Sequence, residues 1–227
     1  VTTEGRISAA RQRSLSGSGD RTSTLDRKQS SALVCDVDPQ YHQSMGNDPF
    51  QPLETARLRL RCVGAEDAAA TAMMMTPEVS RWVAYWPFPF TYEMAVARIE
   101  AARDWARRGD ALPFAATDKA SGDLIGWVMI YRDEENHRRG SLGYWFGEKH
   151  HGKGYMRELA PVALAAGFDL LDLDVIEAAA QPANAASIAV MRACGMKPTG
   201  EGMVYAPARG RHELCQFYEV QRPHSLA

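Results

Sequence analysis

His151, Gly152, Lys153, Gly154, Tyr155 and Met156 form the stretch of this sequence best suited to holding a ligand. It follows the strand-like run Leu142, Gly143, Tyr144, Trp145, Phe146 and gives way to helix formers at Tyr155. A turn with glycines at 152 and 154, set between a strand and a helix, leaves backbone N–H groups pointing outward without partners. Glycine lets the backbone come close to a ligand, and the helix dipole adds roughly half a positive charge at the N-terminus. A phosphate or pyrophosphate is the natural occupant.

Two common phosphate loops do not fit. A nucleotide P-loop needs GxxxxGK[ST], whose hydroxyl holds magnesium, whereas Tyr155 follows Gly154 here. A dinucleotide fold needs three glycines after its first strand and an acidic residue about 20 positions later. Gly152 and Gly154 supply half of that fingerprint, and they follow the fourth predicted strand rather than the first.

The elements that must position this loop can be read from residue 53 onward. Arg57 to Cys62 alternates charged with apolar side chains, the period of a half-buried strand. A helix is predicted over 65–75, ended by Thr76 and Pro77. The segment from Trp82 to Phe90 is too rich in proline for a helix or a central strand. Thr91 reads as the N-cap of a helix whose apolar stripe is Met94, Val96, Ile99, Ala102 and Trp105. Strands are predicted at 113–117, 124–131 and 139–146, then a helix at 155–170 and a strand at 175–180. A short helix begins near Asn184 and is stopped by Gly195, and 200–206 with 211–220 form a closing antiparallel pair. The fold class is therefore α/β (α+β), a mixed and largely antiparallel central sheet of about seven strands flanked by helices.

Composition narrows the function classes. The chain has 227 residues, 45% hydrophobic, enough to bury one sizeable core. Its formal net charge of -2 argues against a nucleic-acid partner. Cys35, Cys62, Cys194 and Cys215 are scattered, with no CxxC pair, so reduced thiols are expected rather than a disulfide framework, and no metal site is predicted. No apolar run approaches the ~20 residues that cross a bilayer, and a cytoplasmic protein without a membrane partner is expected. Residues 1–50, rich in Ser, Thr, Arg, Asp and Gly, are expected to be a disordered extension, since they bury too little apolar surface to offset their ordering entropy. Because the chain begins with Val1, a start at Met45 is an open alternative to a genuine flexible tail. The domain proper is expected at 51–222.

The loop from His151 to Met156 resembles the Gln/Arg-x-x-Gly-x-Gly/Ala loop of the GNAT acetyltransferases. It is preceded by a "GYW" strand and followed by an acidic residue, Glu158. Asn184, Ser187, Val190, Gly195 and Met196 are similar to the family's second segment, an Asn-x-x-Ser followed by Gly-Phe. The resemblance runs from about Leu53 to Val220 and is nearest to the branch of ribosomal-protein N-terminal (RimJ/RimL-type) acetyltransferases. It implies a GNAT-like fold and acetyl-CoA as co-substrate. The cofactor would be held by Phe146, His151, Gly152, Lys153, Gly154, Tyr155, Met156 and Asn184. Four positions depart from the pattern. His151 stands for Gln or Arg, Met156 for a small residue that would leave the cofactor path wider, and Met196 for Phe. Many members also place a tyrosine general acid four residues before the glycine, where this chain has Met191.

Acetyl transfer needs a neutral amine, a polarised thioester carbonyl and a proton for the departing thiolate. An α-amine of pKa ~8 has roughly a tenth of its population neutral at pH 7, while lysine at ~10.4 has less than about one part in a thousand. The resemblance implies that a splayed strand around 143–146 offers a backbone N–H to the carbonyl. With Met191 in place of tyrosine, Ser187 is assigned as proton donor or thiol-positioning group, and Asn184 as a ligand of the pantetheine arm or of a water. The same two residues could instead form only a helix cap. Glu158 reads as a first-turn acid that suits the helix dipole, and His150 and His151 read as loop residues. Met73, Met74 and Met75 read as core filler. The aromatic 82–90 segment could pack over the sheet edge, wall the acceptor pocket, or contact a second copy in a homodimer.

The expected activity is acetyl transfer to an amine acceptor, a peptide or protein α-amine ahead of a small molecule. Direct attack in a ternary complex is expected, no cysteine being seen beside the motifs to carry the acyl group. A non-catalytic acyl-CoA-binding module is the alternative. Glu78, Glu93, Asp110, Asp133 and Glu134 are candidate attractors of a cationic amine.

Overall fold

The computed structural model describes residues 51–223, so the expected extension over 1–50 and the Met45 start lie outside the described residues. Eight strands form one sheet: β1 (Leu53–Glu54), β2 (Leu58–Cys62), β3 (Ala111–Asp118), β4 (Leu124–Arg132), β5 (Arg139–Phe146), β6 (Val175–Ala180), β7 (Lys197–Ala206) and β8 (Arg211–Gln221). Their spatial order is β1-β2-β3-β4-β5-β6-β8-β7. Neighbours are antiparallel except β5 and β6, which pair in parallel over Arg139–Val175, Gly140–Ile176 and Ser141–Glu177. The strand beyond the expected seven is the two-residue β1, too short to show a period in sequence.

The helices are α1 (Ala68–Met74), α2 (Pro77–Ser80), α3 (Tyr92–Arg107), α4 (Tyr155–Leu170) and α5 (Ala185–Ala193). Local chemistry explains their ends. Thr91 Oγ1 accepts from the Met94 N–H at 3.3 Å and starts α3. At the far end of α5, Gly195 takes φ +75°, and its N–H and that of Met196 close onto Arg192 and Met191, a left-handed glycine stop. The helix predicted over 65–75 is instead a 3₁₀ turn at Ala65–Asp67 followed by α1. Thr76 does not merely end it, because its hydroxyl caps α2 with Pro77 in the first turn. The methionine run also divides: Met75 is buried, but Met73 is 82% exposed.

Alternation along the strands gives each face of the sheet its own core. On one face α4 and α5 cover Leu58, Leu60, Val128, Ile130, Leu142, Phe146 and Ile176. On the other, α1, α3 and the 82–90 segment cover Trp127, Met129 and Trp145. Trp86 sits at the centre of this second core, 5.1 Å from the rings of Phe90, Trp127 and Trp145. Trp127 is fully buried, and its indole N–H finds a partner in Thr71 Oγ1 at 3.0 Å. Thr71→Val keeps the shape but orphans that donor. It should lower stability by about 1–3 kcal/mol, read as a shift of the urea midpoint with unchanged slope.

Candidate active site

Beyond Ser141 and Glu177 the pairing of β5 with β6 stops. Residues 142–146 stay on β4 and residues 178–180 stay on β8, so the two strands part. Backbone groups of β5 that point away from β4 then lack a sheet partner and need one from elsewhere. A cleft of about 550 Å³ fills this gap and reaches both faces of the sheet.

One end of the cleft is the glycine loop. Gly147 ends β5, Glu148–His150 make a 3₁₀ turn, and Gly152 and Gly154 adopt φ +70° and +74°, where only glycine is relaxed. Gly154 is the N-cap of α4, so the first amides of that helix face the cleft with no side-chain cap. Phe146, His151, Gly152, Gly154, Tyr155 and Met156 border the cleft, and Lys153 does not. His151 has a positioning contact, its Nε2–H donating to the Phe146 carbonyl at 2.8 Å. The Met156 side chain is largely buried in the α4 core while still bordering the cleft.

Glu158 anchors this end. It accepts from Thr55 Oγ1 at 2.5 Å, from the Arg57 N–H at 2.8 Å and from Arg57 Nε at 2.7 Å. Arg57 also donates to the Lys153 carbonyl and lies 4.8 Å over the Tyr155 ring. Glu158 sits in the first turn of α4 as expected, and with 18% of its side chain exposed it is also a clamp between the β1–β2 turn and the loop. Burial alone would raise its pKa, but the bonds from Thr55 and Arg57 outweigh it and hold the carboxyl below its ordinary value.

Across the gap stands a pair of hydroxyls. Tyr144 Oη and Ser187 Oγ lie 2.8 Å apart. Burial pushes the Tyr144 phenol up to about 12, the bond with Ser187 lowering it by less. Asn184 Oδ1 accepts from the Ser187 N–H at 3.1 Å, so the helix-cap reading of these residues is realised, while both still border the cleft. Met191 is buried in the α4 core, turned away from it.

A second wall of the cleft is aromatic, with Trp82, Tyr85, Trp86, Tyr131 and Trp145, so the 82–90 segment both packs on the sheet and walls the cleft. None of the five acids anticipated from sequence borders the cleft; Glu177 and Glu213 do. Glu213 is held by Arg209, Arg211 and Gln181. Arg209 further donates to the carbonyls of Ser80 at 2.9 Å and Val83 at 3.1 Å, and Ala208 N–H bonds Ala84. This clasp ties the β7–β8 turn to the 80–84 loop across the cleft. Contrary to expectation, cysteines do lie near the motifs: Cys194 closes α5 and Cys215 borders the cleft. Burial and then Glu213 raise the Cys215 thiol to about 11, which keeps it protonated and a poor acyl carrier. Among the described residues, no three His, Cys, Asp or Glu side chains are grouped to hold a metal, and no helix is long and apolar enough to cross a membrane.

Residues 57–197 match the profile of the acetyltransferase (GNAT) domain. The chain belongs to the GNAT acetyltransferases. This GNAT chain is 30% identical over 165 residues to the N-acetyltransferase p20 of Bacillus licheniformis, covering 71% of this chain and 91% of p20. Two solved structures share its fold. The ribosomal-protein-S5-alanine acetyltransferase of Vibrio fischeri has a TM-score of 0.67 at 24% identity, over 76% of this chain and 100% of the other. RimJ of Mycobacterium smegmatis, in complex with CoA-disulfide, has a TM-score of 0.66 at 23% identity, over 75% and 86%. The GNAT chain is an N-acetyltransferase enzyme with the mixed sheet that its residues predicted.

Sequence reasoning found the loop and the Asn184–Ser187 block, and it expected one of the strand pair Tyr144 and Trp145 to face the core and the other to line the acceptor site; it did not name Tyr144 as the partner of Ser187, nor Glu177 or the clasp. Tyr144 had a signal, being the strand residue whose neighbours Gly143 and Trp145 face the opposite side. The clasp had none, because its partners lie more than a hundred residues apart. Two outcomes are expected. Glu158 has a folded pKa below its ordinary 4.5, so its clamp stabilises above that value and fades as pH falls through the lower folded one. Glu158→Gln should destabilise at pH 7 by about 2 kcal/mol and flatten the loss of stability between about pH 5 and 3, as read by urea titrations. Arg209→Ala should loosen the clasp and raise the KM for acceptor several-fold, with the affinity for coenzyme A, measured by calorimetry, unchanged.

Proposed function

We propose that this enzyme transfers acetyl from acetyl-CoA to the α-amine of a peptide or protein by direct attack in a ternary complex. The observation that carries the reading is that the cradle at the start of α4 and the Tyr144–Ser187 pair open on one cleft, at the place where β5 parts from β6. Amides of Gly152, Gly154 and Tyr155 with the α4 dipole suit a pyrophosphate, Lys153 adds positive charge nearby, and the unpaired edge of β5 up to Phe146 suits the pantetheine arm. Asn184 retains its amide N–H groups for that arm while its oxygen caps α5. An acetyl-CoA molecule fits these groups without a metal ligand. The name of the Vibrio fischeri neighbour, a ribosomal-protein-S5-alanine acetyltransferase, favours a ribosomal-protein or other peptide N-terminus over a small molecule as acceptor. Three free thiols among the described residues suit a reducing, cytoplasmic setting.

In this mechanism the amine attacks the thioester carbon while β5 amides receive the developing oxyanion. Ser187 gives its proton to the sulfur as the C–S bond breaks, and Tyr144, protonated throughout the physiological range, restores it. The nitrogen's surplus proton then returns to the pair. Ser187→Ala should lower kcat about 10²-fold or more while acetyl-CoA affinity changes less than two-fold. Tyr144→Phe should lower kcat less, because water can reach Ser187. Thiol release from acetyl-CoA with a free-amine peptide measures both. An unchanged rate in Ser187→Ala would sink the proton assignment, and no turnover with any amine would favour a binding module.

A further inference from the structure

Two tryptophans face each other across β4 and β5, and they differ in one hydrogen bond. Trp127 and Trp145 are cross-strand partners with their rings stacked at 6.5 Å, on the face of the sheet away from α4. Trp127 is fully buried off the cleft, and its indole N–H is matched from within by Thr71 Oγ1. Trp145 is 5% exposed and borders the cleft, and its indole N–H is buried without a hydrogen-bond partner among the described residues. Polar groups on the same side are already matched. The Tyr131 hydroxyl donates to Met129 Sδ at 2.9 Å, and the Ser80 hydroxyl donates to the Trp86 carbonyl at 2.6 Å. A buried donor left unmatched is costly, and native folds keep few of them. The cleft that Trp145 borders is where its partner can come from.

We propose that the Trp145 indole N–H donates to the carbonyl oxygen of the acceptor's first residue, so that the enzyme selects amines carried next to a carbonyl. The inference rests on the α-amine reading above and adds to it the group by which such an acceptor is told from a polyamine. Placement favours a carbonyl close to the reacting nitrogen. Gly143 lies on the same face of β5, one side-chain step or roughly 7 Å from Trp145, and a Cβ there would meet nothing within 4 Å. Both residues belong to the stretch where β5 has parted from β6. An aminoacyl group seated over Gly143 therefore spans the ground between the gap and the indole. In such a group a single carbon separates the nitrogen from the carbonyl, whereas spermidine has methylenes there and nothing that accepts a hydrogen bond. The cofactor cradle at the start of α4 lies toward the opposite face, which leaves the Trp145 ring to the acceptor. A small rotation of the indole presents its N–H to the occupant, and that rotation breaks no hydrogen bond within the protein.

Steady-state kinetics with acetyl-CoA and three probes test the assignment: a free-amine tetrapeptide, its analogue with the first amide replaced by an (E)-alkene, and spermidine. With kcat/KM expressed per neutral amine, wild type should favour the peptide over the analogue at least about ten-fold. Trp145→Phe keeps an aromatic ring and removes the donor. It should erase most of that preference by slowing the peptide and sparing the analogue, with the calorimetric affinity for acetyl-CoA changed less than about two-fold. Because an indole does not titrate, the pH profile for the peptide should keep its shape. Thr71→Val, which orphans the neighbouring indole instead, should leave the preference intact. In wild type labelled with ¹⁵N, the Trp145 indole proton, identified by its contact with the Trp127 ring, should move downfield with the peptide and not with the analogue. If wild type treats peptide and analogue alike, if the preference survives in Trp145→Phe, or if the indole signal stays in place, the Trp145 assignment is overturned and transfer to an α-amine stands. A loss of acetyl-CoA affinity in Trp145→Phe as large as the loss of peptide rate gives the donor to the cofactor and overturns it as well. If wild type acetylates spermidine and not the peptide, the α-amine reading falls and this one falls with it.

Discussion

Everything at the candidate site depends on a ladder that is cut short. β5 and β6 are the one parallel pair in the sheet, and they share only three pairs of residues before diverging. Had the pairing continued, the amides of 142–146 would be spent on β6. Because it stops, the strand's free edge, the start of α4 and the start of α5 all face a common space. The cost of unpaired backbone groups in such a gap is one to a few kcal/mol each unless water or ligand satisfies them. An extended amide-bearing cofactor arm supplies partners of the required kind.

The surroundings keep the gap open. Glu158 holds the β1–β2 turn to the glycine loop, and His151 pins the loop to the end of β5. On the far side, the Arg209 clasp fixes the aromatic wall. These contacts are polar and cross between distant segments, whereas the two apolar clusters fix the sheet itself. The cradle is thereby presented at a fixed distance from the hydroxyl pair, which is the kind of arrangement that lowers the entropy cost of bringing two substrates together.

What could be read from the residues follows the range of the interactions concerned. The strand β2 was legible because Leu58 and Leu60 alternate with Arg59 and Arg61, and α4 because its glycines sit at its start. The division of the 65–75 helix was not, since alanine and methionine suit either a 3₁₀ turn or an α-helix and the break is decided by tertiary packing. The site split in the same way. Gly152, Gly154, Asn184 and Ser187 act through local backbone and could be named. Tyr144, Glu177 and Arg209 acquire their places only when segments far apart in the chain are brought together, and for the same reason the five acids named from sequence lie off the cleft.

The two apolar clusters lie on opposite faces of the sheet, Met156 and Ile188 in one and Trp86 and Trp145 in the other. Changes at well-separated sites add nearly independently in free energy. The partition therefore makes the enzyme modular in an evolutionary sense. Substitutions on the Trp86 side of the sheet can accumulate one at a time with little disturbance to the packing around Met156 and Ile188 beneath the glycine loop.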